Sequence, residues 1–170
     1  MLRTRLLVPV VTAGLLLPAP AALATDRSGP SMGGPQVAVG ASGCAIPPGR
    51  DLAVTRTVHD VGVARGVSEK VMLAAFEAGW VESRMNNLQC GDSDSVGVFQ
   101  QRPSQGWGTV AQLTDPTHAA DSFLAEAQRL EGDLAGSTPG QLAQAVQRSA
   151  YPGRYDEAEG VARELLAEVG

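Results

Sequence analysis

Glu82, in the run Trp80-Val81-Glu82-Ser83-Arg84, is the residue whose type and setting point most directly to chemistry. A carboxyl group beside Trp80 and Val81 is expected to be partly desolvated, which raises its pKa toward the range of a general acid. The competing reading is a solvated Glu paired with Arg84 or Arg148. Glu77 lies five residues earlier, about 140° round a helix, so it cannot share a site with Glu82 and is read as structural. Asp94, with Asp92 just before it, is the candidate for a second acid. The same side chains are equally suited to capping their own loop.

Other chemistries fail on what surrounds their motifs. Gly91-Asp92-Ser93 opens like an esterase motif, but no His follows His118 to act as base. Asp92-x-Asp94 with Gly97 starts like a calcium loop, yet Val96 stands at the fifth position and Pro103 at the twelfth. Two His and two separated Cys offer no zinc spacing, so neither a metal nor a cofactor is expected. His59 and His118 are read as helix-surface groups.

A rigid scaffold must hold Glu82, and the pattern around it is helical. Leu52, Val54, Val58 and Val61 recur at helical spacing, with Asp51 as cap and Gly66 as stop. Ser68 caps a second helix through Arg84 that is apolar all round and therefore expected to be buried. Residues 85–108 are rich in Gly, Asp, Ser and Gln and read as a loop or small hairpin, with Val96–Gln100 as a short strand. Asp115-Pro116 opens a helix to about Leu130, and Thr138-Pro139 opens one to about Ser149. After Pro152 a last helix is expected from about Arg154 to Glu168. The fold class is mainly α, with the polar segment after the most buried helix as the place for function.

The length, 170 residues, suits one domain, and 44% apolar residues suffice for a core. A net charge of −5 argues against nucleic acid or anionic lipid as partner. Arg3 and Arg5, the apolar run Leu6–Leu17 and Ala22-Leu23-Ala24 make a signal peptide over residues 1–24, cleaved near Ala24. The run is too short for a stable membrane anchor. Its removal takes away two Arg and leaves −7. The expected location is outside the cell or in the cell wall, and the expected state is a monomer. In an exported chain the pair Cys44 and Cys90 is most simply a disulfide. It would close a loop of about 45 residues and stabilise by about 3–4 kcal/mol. Residues 25–49, rich in Gly, Ser and Pro, read as a linker before the domain at 50–170.

Glu82-Ser83 followed by Ser95-Val96-Gly97-Val98-Phe99-Gln100 resembles the two leading motifs of lysozyme-like lytic transglycosylases. The stretches Gln101–Gly108 and Ala145–Pro152 are similar to an exported actinobacterial branch of that superfamily. Resuscitation-promoting factors, a related exported group, share the Glu-Ser and a Gly-Leu-Gln hairpin. The resemblance implies a lysozyme-like helical domain, a hairpin lining a glycan cleft, and peptidoglycan glycan strands as partner. It implies Glu82 as the catalytic residue, protonating the glycosidic oxygen and then acting as base. Ser83, Gln100, Gln101, Trp107 and Tyr151 are the residues expected to bind substrate. Gln100 and Gln101 also read as plain loop amides, and Trp107 as a plug in the core. Where the family has Ala-Tyr-Asn-x-Gly, this chain reads Ser149-Ala150-Tyr151-Pro152-Gly153. A lysozyme-type hydrolase usually needs a second acid, whereas the transglycosylase chemistry that the resemblance implies manages with one Glu. The reading from another class is a catalytically silent glycan-binding or cell-envelope interaction domain.

Overall fold

The computed structural model describes residues 44–170. The signal peptide expected over residues 1–24 and the linker up to residue 43 lie outside the described residues. The described part is mainly helical: α1 (Leu52–Arg65), α2 (Glu69–Ser83), α3 (Val110–Leu113), α4 (Pro116–Glu131), α5 (Pro139–Gln147) and α6 (Glu159–Val169). Short 3-10 turns cover Pro103–Gln105 and Asp156–Ala158. No described helix is long and apolar enough to cross a membrane.

Side-chain caps fix where these helices begin. Asp51 accepts from the Ala53 and Val54 amides, Ser68 from Val71, and Asp115 from Thr117. Thr109 and Thr138 form capping boxes with Gln112 and Gln141. The first of these starts α3, a one-turn helix not expected from the sequence.

Helix α2 is the hub. Val71, Leu73, Ala74, Ala75, Phe76 and Ala78 are all buried, as its all-round apolar sequence requires. It packs against α4, α5 and α6, with α5 its most extensive neighbour. The small residues Ala74, Ala75, Ala78 and Gly79 let those neighbours approach. At Gly79 a Cβ would stand 2.6 Å from Met85 Sδ, so the buried Met85 side chain would have to shift to admit one. Phe99 from the loop stacks on Phe123 of α4 with centroids 4.5 Å apart, carrying the loop into the core.

The strand expected over Val96–Gln100 does not form. Val96 and Gln101 make one antiparallel bridge, and residues 97–100 turn between them. Gly97 has a φ of 78° and a Cβ there would lie 2.0 Å from Leu113 O, so the turn demands glycine. The apolar residues of this stretch go into the core one after another rather than alternating, which is turn geometry and not a pleat. The last helix also starts later than expected, because the 3-10 turn at Asp156–Ala158 precedes it. Cys44 and Cys90 stand at bonding distance with Cα atoms 5.4 Å apart, tying the segment before α1 to the loop after α2.

Candidate functional site

Helix α2 ends at Ser83, and the chain turns away through Arg84 and Met85, both with left-handed backbone at φ 53° and 58°. Each such residue costs about 1–2 kcal/mol. The turn is held by Met85 N–H donating to Gly79 O (3.0 Å) and by burial of the Met85 side chain. It leaves Glu82, in the last turn of α2, at the edge of the core. Gln100 and Arg148, which also adopt positive φ, stand on the same cleft. Backbone held in such regions clusters at functional sites.

The cleft has a volume of about 470 Å³, and Glu82, Gln100, Gln147, Tyr151, Arg154 and Tyr155 line it. Tyr155 Oη donates to Glu82 Oε1 at 2.5 Å. Burial pushes the Glu82 carboxyl above its ordinary pKa; the Tyr155 hydrogen bond and the nearby Arg154 charge pull partly the other way. Tyr155 is itself buried, and burial together with the Glu82 charge raises its phenol, so it remains a donor throughout the physiological range. Of the two apolar residues before Glu82, Val81 lines the same cleft, whereas Trp80 lines two other concavities.

The residues expected to bind substrate divide. Gln100 lines the cleft, with its side chain bonded inward: Nε2 donates to Cys90 O and Gly97 O, and Oε1 accepts from Ser95 Oγ. Tyr151 lines it too and is 69% exposed, a free ring face at the rim. Ser83, Gln101 and Trp107 do not reach it. Ser83 is buried, its hydroxyl 2.7 Å from Val98 O and accepting from Asn86 N–H, so it fastens the loop to α2. Gln101 is 2% exposed beneath the bridge, with Nε2 toward Ala119 O. Trp107 is half-buried against the core, which is the plug reading of that residue.

Asp94, the candidate second acid, is also placed elsewhere. Arg102 Nε donates to it at 2.6 Å, and the Ser104 amide and hydroxyl donate as well. These bonds hold its carboxyl far below the usual carboxylate range, so it is a fixed anion supporting the loop. Among the described residues the carboxylates lining the cleft are Glu82 and Asp92. Glu77 faces the opposite way, toward Asp156, Glu159 and Arg163. It is fully buried with neither oxygen hydrogen-bonded, and burial pushes its pKa to about 8. Neither solvent nor the cleft reaches it.

Tyr155, Gln147 and Arg154 are cleft residues that the sequence did not single out. Gln147 Nε2 donates to Phe99 O at 2.8 Å and locks the end of α5 onto the loop. Tyr151 is the tyrosine that matches the family pattern after Ser149-Ala150, whereas the buried tyrosine lies four residues further on, across a turn. Its apolar ring, placed beside the acid run Asp156-Glu157, was the available signal. No group of three or more metal-ligating side chains occurs among the described residues. Compared with models of known protein families and with curated proteins, the chain matches none.

Proposed function

We propose that this protein cleaves peptidoglycan glycan strands at the β-1,4 bond between N-acetylmuramic acid and N-acetylglucosamine, on a lysozyme-like helical domain exported to the cell wall. The observation that carries the reading is Glu82: a carboxyl group lifted in pKa by burial, aimed by a buried tyrosine, on the wall of an open cleft. Such a group is protonated for a larger part of the time near neutral pH and is equipped to give its proton to a glycosidic oxygen.

In this mechanism Glu82 protonates the oxygen leaving with the N-acetylglucosamine side as the C1–O bond breaks. The resulting carboxylate then takes the proton of the muramyl 6-hydroxyl, whose oxygen bonds to C1 and closes a 1,6-anhydro ring. Glu82 is protonated again at the end, and no water is consumed. The one-acid route is the one that the resemblance implies; Asp94 is engaged by Arg102 and Ser104, and Asp92, which lines the cleft with Glu82, is the carboxylate that a hydrolytic route would use.

Mass spectrometry of the products tests it. Digestion of purified peptidoglycan should release fragments ending in anhydro-sugars, one water lighter than reducing ends. Reducing ends would overturn the cyclising step in favour of hydrolysis. Intact strands that still bind the protein would replace catalysis with the silent glycan-binding reading.

A further inference from the structure

The charges around the cleft do not follow the acidic balance of the chain. Arg102, Arg148 and Arg154 line it. Arg102 is bound to Asp94, and Arg148 stands 3.9 Å from Glu126. Arg154 is different. It is half-buried, its guanidinium carbon lies 5.9 Å from the ring centroids of both Tyr151 and Tyr155, and its hydrogen bond is a long one to Val81 O, 3.5 Å. Among the ion pairs of the described residues none involves Arg154.

A guanidinium has five N–H donors, so most of those on Arg154 are unused by the protein. Its charge lowers the pKa of Glu82, the reverse of what a general acid near neutral pH requires. Tuning the acid therefore does not account for its position. The guanidinium sits near both tyrosine rings at the cleft wall with most of its donors free, and such a fork is suited to a planar carboxylate.

A second concavity of about 350 Å³ adjoins the cleft, and Ile46, Val81 and Arg154 border both. Trp80 and Val161 give it apolar walls, Arg84 a second cation, and Glu157 its one acid. Sugar hydroxyls and acetamido groups accept hydrogen bonds from an arginine, but a carboxylate gains more from a pair of them. A peptide branch with aliphatic side chains and a free carboxylate fits both the walls and the charge.

Resting on the reading of the cleft as a glycan site, we propose that Arg154, with Arg84, binds a carboxylate of a stem peptide that branches from the strand into this side pocket. The preferred substrate is then a strand whose stem peptide keeps its free carboxylate.

Calorimetric titration of the full chain carrying Glu82→Gln, which cannot turn the ligand over, tests this. The probes are a peptidoglycan tetrasaccharide with free peptide carboxylates and the same compound with every peptide carboxylate amidated. The free-acid form should bind about tenfold tighter, the value of charge-assisted bonds to a partly exposed guanidinium, and the advantage should shrink as salt rises. Adding Arg154→Gln should bring the two forms within twofold of each other. Arg154→Lys, which keeps the charge and loses the fork, should retain part of the preference and covers the case in which Arg154→Gln folds poorly. Equal affinity of the parent for both probes, no binding of either, or a preference that survives both substitutions would overturn the proposal. Its failure is separable from that of the catalytic reading, because a wild-type chain that discriminates the probes without cleaving either keeps the side pocket and loses the enzyme.

Discussion

A carboxylic acid that must give up a proton near neutral pH needs surroundings that resist its charge without forbidding it. Glu82 has both parts: burial raises its pKa, and the Tyr155 hydroxyl steadies the anion once formed. Removing that hydroxyl leaves only the first. In Tyr155→Phe the Glu82 pKa should rise further, moving the alkaline limb of the rate profile to higher pH. A pH–rate series checks this, and an unmoved limb would separate the tyrosine from the acid. Glu77 shows that a shifted pKa alone does not make a site. Its folded pKa, about 8, lies above the ordinary 4.5, so between those values the unfolded chain ionises first and stability falls as pH rises. Denaturant unfolding of Glu77→Gln should show that this loss, about 2–4 kcal/mol once relaxation around the charge is allowed for, disappears, leaving a flatter profile from pH 5 to 8. A slope equal to that of the wild type would place the burden elsewhere.

At the scale of elements, the loop after α2 is fastened from three sides: Ser83 to Val98 O, Gln147 to Phe99 O, and Cys90 to Cys44. The disulfide closes a loop across 46 positions, and its loss should lower the unfolding free energy by about 3–4 kcal/mol. Thiol titration of the unreduced, denatured chain should find no free thiol, and Cys44→Ser should unfold at lower denaturant. Two free thiols would contradict the pairing. The helices were legible because their signals are local: Asp51, Ser68, Asp115-Pro116 and Thr138-Pro139 each cap the helix that follows. The loop was not. Val96, Val98 and Phe99 look like a strand, but the core takes their side chains through a turn built around Gly97. Ser83, Gln101 and Trp107 have the chemistry of ligand-binding residues, and only their packing, a tertiary property, shows that Ser83 and Gln101 are buried and that Trp107 lies half-buried against the core. Tyr155 escaped for the same reason in reverse, since sequence alone does not show that the turn before α6 delivers it to Glu82.

Taken whole, the molecule places its one cleft-lining acid with a raised pKa at the end of its most buried helix. Three arginines line the cleft of a chain whose net charge is −5. A rigid rod that is apolar on most of its surface holds its last turn still, and of the three arginines Arg154 makes no ion pair among the described residues. In the proposed reaction Glu82 gives and takes the proton. Glu82→Gln keeps the shape of the side chain and its hydrogen bond to Tyr155 but has no transferable proton. General acid–base catalysis contributes about 10²–10⁴-fold, so the rate at which the variant solubilises purified peptidoglycan should fall by at least that lower factor, with its unfolding midpoint little changed. Cleavage by Glu82→Gln at a rate within a few fold of the wild type would contradict the account.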